Sequence, residues 1–279
     1  MATLFTIPIP PLGAHPGGAV VCTEPAPQVV SYTLPPNPLL PPDNRLTTPT
    51  NAALVSALDV LEFGPHPPGV VLTTSAIQKF YSNGLDLENA LADPAFLPTS
   101  LYHLFLRFLT FPMPTVAVLN GHAFAGGLML AMHHDYRIMS PARGFLCVNE
   151  LDFGVPLKAP MSSIFRLKCA PATYRSLVLE AQRFDGKAAL EAGIVDGLGG
   201  VQEAVAMVGE RKLTEKGRTG IYGAMKREMY RESVELLSEE GFAREEAAFL
   251  RGMEGEQGRR ERGEGRVREI LKGGKGAKL

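Results

Sequence analysis

Short β-branched runs alternate with helix-like segments through the middle of this chain, and no other feature limits the possible folds as tightly. Residues 69–73 and Thr115–Leu119 read as buried strands bounded by proline, glycine or polar residues, and residues 135–139 and 145–148 read as two more. Between them, Leu101, Leu104, Phe105, Phe108 and Leu109 share one helical face, and that run stops at Phe111-Pro112-Met113-Pro114. Gly126 opens a second apolar helical segment that reaches Met132. Upstream, Thr48 followed by Pro49 reads as an N-cap and first turn, with Leu54, Val55, Leu58 and Leu61 on one face. This alternation predicts an α/β fold assembled from right-handed crossovers.

Composition divides the chain into zones. Fifteen of the 23 prolines precede residue 69, so the early strands, such as Val29–Leu34, are expected to be short or to lie at sheet edges. Residues 201–279 hold 17 Lys/Arg and 15 Asp/Glu, more than half of all charge, in a helical pattern that loses its apolar residues after about Arg251. The expected organisation is a core over 1–200 with a Pro-rich start, a helical region over 201–250 and a mobile charged tail over 251–279. At 45% hydrophobic residues the 279-residue chain can bury a large core without disulfides or metal. A net charge of −1 provides no field for nucleic acid, and no apolar run is long enough to span a bilayer. Neither nucleic acid nor membrane is therefore expected as a partner. Cys22, Cys147 and Cys169 are too scattered for a disulfide framework and read as reduced thiols of an intracellular protein.

Three segments offer chemistry, and each has a plainer reading. Ser82-Asn83-Gly84-Leu85-Asp86 contains Asn-Gly, which alone marks a surface turn but can also turn backbone N–H groups towards a ligand. Gly121-His122-Ala123-Phe124-Ala125-Gly126-Gly127 lacks the spacing of a dinucleotide loop and has no basic residue. It places small residues at a strand-to-helix corner, either for tight packing or to leave a helix-start N–H free for a developing negative oxygen. Asn149-Glu150 follows an apolar strand and supplies a carboxylate that is either solvated or a base. His133-His134-Asp135 suggests a metal, but adjacent histidines at a helix end point in different directions, so no metal site is expected.

In order and wording these segments resemble the crotonase, or enoyl-CoA hydratase/isomerase, superfamily. Residues 80–87 are similar to its first oxyanion-hole segment, and residues 114–127, running on to Asp135-Tyr136-Arg137-Ile138, to its second. Arg183-Phe184-Asp185-Gly186, residues 188–196 and Asp43-Asn44-Arg45-Leu46 resemble further family elements. The resemblance implies a crotonase-like spiral of ββα turns with a C-terminal helical region, an acyl-CoA thioester as substrate, and assembly as a homotrimer or dimer of trimers. It implies no cofactor, coenzyme A being part of the substrate. Leu85 and Gly126 become the oxyanion-hole donors, and Ser82, Asn83, Gly84, Asp86, Met129 and Asn149 candidate substrate contacts. Arg45 is a candidate for the nucleotide end, although Pro35-Pro36-Asn37-Pro38 and Pro41-Pro42 enlarge the loop where such contacts are expected.

One substitution sorts the reactions within that family. Hydratases of the family use two glutamates, and the first of those positions carries Met129 here, which cannot exchange a proton. The second falls on Glu150, in a setting similar to the Δ3,Δ2-enoyl-CoA isomerases. A double-bond shift needs one base, which takes a proton from the alpha carbon and returns it to the gamma carbon. Leu128, Met129, Leu151 and Phe153 are expected to line the site around Glu150 and to raise its pKa by desolvation. The alternatives are a catalytically silent acyl-CoA or protein-binding module of the same fold, or another family reaction such as hydration. Ala277-Lys278-Leu279 resembles the peroxisomal Ser-Lys-Leu address and implies an import receptor as partner and the peroxisome as location, with the cytoplasm otherwise. Tyr222, Met225, Met229, Leu236 and Leu237 form an apolar stripe at helical spacing that is expected to cover either the chain's own core or a neighbouring subunit, and the resemblance implies the neighbour.

Overall fold

The computed structural model describes residues 3–34 and 43–273. Two sheets run through it. The first three strands, β1 (Thr3–Ile9), β2 (Gly18–Ala26) and β3 (Val29–Leu34), pair antiparallel. Beyond β3 the sheet turns parallel through β4 (Val70–Ser75), β6 (Thr115–Leu119), β8 (Tyr136–Met139) and β10 (Gly197–Leu198). The strands between them, β5 (Phe80–Ser82), β7 (His122–Phe124) and β9 (Leu146–Cys147), form a separate parallel sheet. Each turn of the chain thus adds one strand to each sheet before a helix returns it, which is the expected ββα spiral.

The centre of the large sheet is buried on both faces, and its sequence shows why. Every residue of β4 and β6 is buried. Val71, Ala117, Leu119 and Met139 face the main core, under helices α1 (Thr48–Phe63), α3 (Tyr102–Thr110), α4 (Gly126–Met132) and α5 (Ala159–Lys168). Val70, Leu72, Val116, Val118 and Ile138 face Ala204, Met207 and Val208 of α8 (Val201–Glu210). A continuous Val/Leu run is what a strand buried on both faces requires.

Several boundaries differ from the sequence expectation. The N-cap of α1 is Thr47, whose hydroxyl accepts from Thr50 N at 3.3 Å, so Pro49 occupies the second helical position. Pro8 does lie in the edge strand β1, and Pro25 lies where the β2–β3 register shifts. β3 sits inside the sheet, which six residues ending before the proline run permit. That run, residues 35–42, lies outside the described residues, as does Ala277-Lys278-Leu279.

The charged tail is helical. Helix α11 (Glu239–Gly273) crosses the expected boundary at residue 250 and continues as helix through residues expected to be mobile. It begins packed, with the Phe242 ring against Tyr102 at 5.7 Å and Glu246 accepting from Lys158 Nζ at 2.9 Å. Beyond Leu250 it is solvated and carries pairs such as Arg260–Glu264 at 3.1 Å, each worth about 0.2 to 0.5 kcal/mol. A lack of core-forming residues argues against burial, not against helix. No helix among the described residues is long and apolar enough to cross a membrane.

The expected apolar stripe is divided. Leu236 of α10 (Arg231–Leu236) and Leu237 are buried in the chain's own fold, whereas Met225 and Met229 of α9 (Tyr222–Met229) are 66% and 70% exposed. What fixes α9 is ionic. Lys226 is buried and donates to Asp135 Oδ1 at 2.9 Å and to Phe108 O at 3.0 Å, while Tyr222 Oη donates to Asp135 Oδ2 at 3.2 Å. Asp135 also accepts from Thr115 N at 2.9 Å. Removing one partner of a buried pair leaves the other uncompensated. Lys226→Met is therefore expected to destabilise the chain by about 3 to 5 kcal/mol in denaturant titrations. A loss below about 1 kcal/mol would place Lys226 among ordinary surface lysines.

Candidate active site

The site forms where two glycine-bearing segments meet. Gly84 is buried at φ +82°, and a Cβ there would lie 2.9 Å from Phe124 O and 3.3 Å from Gly126 N. A Cβ on Gly127 would lie 2.4 Å from Ser82 O, and one on Gly121 2.4 Å from Lys79 O. These glycines let the start of α4 pack against residues 82–85 at distances no side chain permits. The Asn-Gly pair is accordingly not a surface hairpin but a buried turn. The packing reading of the second segment holds at Gly121 and Gly127, which meet backbone, whereas the nearest atoms to a Cβ on Gly126 are side-chain atoms of Leu85 and Leu46.

The same contacts orient two backbone donors. Gly84 O accepts from Leu46 N at 2.8 Å, and in a planar trans peptide the Leu85 N–H points the opposite way. Ala125 takes φ 49° and ψ −120°, a costly conformation for a residue with a Cβ, held by Ala125 N donating to Cys147 O at 2.9 Å. This turn starts α4 with no side-chain cap. The N–H groups of Leu85 and Gly126 have no acceptor among the described residues.

A cavity of about 860 Å³ opens beside them. Its wall includes Leu85, Asn83, Asp86, Asn149 and Glu150 among the expected residues, together with Phe124, Ala125 and Phe153. Ser82, Gly84, Gly126 and Met129 are buried and are not among the residues that line it. Ser82 Oγ donates to Asn44 O at 2.7 Å and accepts from Gly84 N at 3.2 Å, so it shapes the turn rather than facing the cavity. Met129 and Leu128 belong to the core, with exposures of 1% and 0%. Leu151, expected on the lining, points outward and is 55% exposed. The apolar wall comes instead from Leu97, Val155, Pro156 and Met161, and from residues 9–10 and 14–19 of the β1–β2 hairpin. No motif marks that hairpin; its prolines and glycines read as punctuation.

Three carboxylates line the cavity, and their partners differ. Asp43 accepts from Arg45 Nε at 2.7 Å and Asn83 Nδ2 at 3.0 Å. Arg45 also donates to Leu85 O at 2.8 Å, so this candidate for the nucleotide end braces the turn. Asp86 accepts from His15 Nε2 and Asn89 Nδ2, each at 2.5 Å; burial pushes its pKa up, but these bonds outweigh it and hold the carboxyl below its ordinary range. Glu150 Oε2 is buried with no partner among the described residues, as is the neighbouring Asn149 Oδ1. Burial raises the Glu150 pKa to about 7, opposed weakly by its own backbone N–H. Gly154, at φ +66° with nothing within 4 Å, ends the 3-10 turn Leu151–Phe153 that follows Glu150.

The two histidines are structural. His133 stacks on Phe105 at 4.4 Å and His134 on Phe108 at 4.2 Å, and their Nδ1–H groups donate to Met129 O and Leu130 O. Burial lowers the His133 pKa to about 3 and that of His134 well below the ordinary value, so both rings are neutral.

Comparison with known proteins shows the family. The profile of the family described as enoyl-CoA hydratase/isomerase matches residues 39–260. The chain is 33% identical to the peroxisomal enoyl-CoA delta isomerase 1 of Arabidopsis thaliana over 198 residues, covering 68% of this chain and 82% of that protein. It is 34% identical to the peroxisomal enoyl-CoA delta isomerase 2 of the same plant over 212 residues, covering 70% and 87%. The crystal structure of human mitochondrial delta3-delta2-enoyl-CoA isomerase superposes with a TM-score of 0.65 at 22% identity, covering 85% of this chain and 98% of that one.

The raised Glu150 pKa has a consequence for stability. Between the ordinary value of 4.5 and about 7, the folded chain holds a proton there that the unfolded chain releases, so this carboxyl loses stability as pH rises through that window. Glu150→Gln lacks the effect. At pH 8 the variant is expected to be more stable by up to about 3 kcal/mol, a gap that closes below the ordinary carboxylate range. Equal unfolding midpoints at pH 8 would mean that the carboxylate is hydrated.

Proposed function

The chain belongs to the enoyl-CoA hydratase/isomerase family, and on that premise we propose that it is a Δ3,Δ2-enoyl-CoA isomerase. The observation that carries this reading is the pairing of the cavity's carboxylates. Asp43 and Asp86 are held by hydrogen bonds, and among the described carboxylates of the cavity Glu150 is the one with a buried oxygen that has no partner. Hydration needs one group to hold water and another to complete the proton transfer, and the position that resemblance assigns to a second glutamate carries Met129, buried in the core.

In the proposed reaction the Glu150 carboxylate removes a proton from the alpha carbon of a 3-enoyl-CoA thioester. The electrons move into a dienolate whose oxygen accepts hydrogen bonds from the Leu85 and Gly126 N–H groups. The resulting carboxylic acid returns the proton to the gamma carbon, giving trans-2-enoyl-CoA. A base with a pKa near 7 suits both halves of this transfer, being substantially ionised before it and a competent acid after it. Loss of one such backbone donor typically costs about 2.7 to 4 kcal/mol of transition-state stabilisation. Asn83 and Asn149 are proposed substrate contacts on the cavity wall.

The proposal extends to place and assembly. The two Arabidopsis relatives named above are peroxisomal by name, and Ala277-Lys278-Leu279 supports the same address for this chain. A homotrimer or dimer of trimers is proposed, with the exposed Met225 and Met229 of α9 on the face to be covered.

The test is a ratio. With 3-hexenoyl-CoA as substrate, Glu150→Gln is expected to lose at least about 10²-fold in isomerisation while still binding acyl-CoA. Wild-type chain is expected to hydrate crotonyl-CoA far more slowly than it isomerises the 3-enoyl thioester. Comparable rates, or full activity in Glu150→Gln, would overturn the assignment.

A further inference from the structure

We infer that His15, on the N-terminal hairpin, is a positioning residue for the oxyanion hole, acting through Asp86 on the Leu85 N–H; the inference rests on the proposed isomerase reading. The peptide units around Leu85 are fixed from several sides. Gly84 O accepts from Leu46 N and Leu85 O from Arg45 Nη1, each at 2.8 Å, and Asp86 is the next residue in the chain. Asp86 caps α2 (Leu87–Ala92), its Oδ1 accepting from Asn89 N at 3.3 Å and its Oδ2 from Asn89 Nδ2 at 2.5 Å. Those contacts tie Asp86 only to α2, a six-residue helix with no buried residue. Ala90 packs against the core, but with no buried residue α2 is a weak anchor for the Leu85–Asp86 junction.

Beside the Arg45 bond to Leu85 O, His15 supplies an anchor on the Asp86 side chain from outside α2. Its Nε2 lies 2.5 Å from Asp86 Oδ2, and because an ionised carboxylate only accepts, Nε2 carries the hydrogen. The imidazole is presented from a rigid turn in which Leu12 N and His15 O, and His15 N and Leu12 O, pair at 2.8 Å around Gly13 at φ +55°. A Cβ on Gly13 would lie 3.7 Å from the Asn89 amide, so the hairpin tip and α2 are already in close approach. The hairpin thus adds a cavity wall and a brace on the residue after one proposed donor.

Two variants separate positioning from binding. His15→Ala removes the donor; His15→Gln keeps an N–H able to meet Asp86. With 3-hexenoyl-CoA, kcat is expected to fall about tenfold in His15→Ala, since displacement of a group in the reacting geometry by a fraction of an ångström acts on turnover. Affinity for saturated hexanoyl-CoA should stay within about twofold, and His15→Gln should recover kcat to within about threefold. Hydrogen exchange across residues 84–92 should quicken in His15→Ala and return in His15→Gln. Unchanged kcat in His15→Ala, or a kcat loss matched by lost affinity, would overturn the inference. Absence of wild-type turnover would refute the isomerase reading, and the exchange measurement would then decide the positioning alone: unchanged exchange overturns it.

Discussion

The close approach of the start of α4 to the turn at residues 82–85 is the constraint from which the site follows. A helix start can come within van der Waals distance of another backbone only where no Cβ intervenes, and Gly84 and Gly127 meet that condition directly. The pairing of β5 with β7 brings the two segments side by side, and β9 adds the strand that leads to Glu150. The spiral is therefore a means of placing three consecutive strand ends at one cavity. Ala125 tolerates a positive φ because Cys147 O holds its N–H, a case of local strain kept at a functional position by surrounding structure.

Electrostatics divide the molecule between pairing and isolation. Away from the cavity, buried Lys226 is matched with Asp135 and Arg137 with Asp196 at 3.1 Å, while Lys168 Nζ donates to the backbone oxygens of Met132 and His134 at 2.7 Å. His133 and His134 avoid the cost of burial by remaining neutral. At the cavity Asp43 and Asp86 are matched as well. Among the described carboxylates of the cavity Glu150 is the exception, and its unmatched buried carboxylate costs stability above the raised pKa, a cost that proteins concentrate at functional sites. Proton transfer is a use for such a group, because it must exist in both states during one turnover.

Much of this was legible in the sequence where local chemistry leaves few choices. Thr115–Leu119 and Gly126–Met132 stand where the apolar runs and flanking glycines place them, and Asn149-Glu150 lies at the predicted strand end. Resemblance located Leu85 and Gly126, and the structure places both at the junction of the two segments. What escaped depended on distant packing. Met129 and Glu150 are candidates by resemblance alike, but only the fold decides that one faces the core and the other the cavity. The hairpin wall and its His15 contact join residues 71 positions apart, and no periodicity announces such a meeting. Helix α11 escaped for a different reason, since solvated charge pairs can sustain helix where composition suggests none.

In the proposed reaction the Leu85 and Gly126 N–H groups converge on one oxygen opposite Glu150. A crystal structure of the chain with a saturated acyl-CoA tests it directly. The thioester oxygen is predicted to lie about 2.7 to 3.1 Å from both nitrogens, with its alpha carbon turned towards the Glu150 carboxylate. An oxygen bound to only one of them, or an acyl chain directed away from Glu150, would contradict the account.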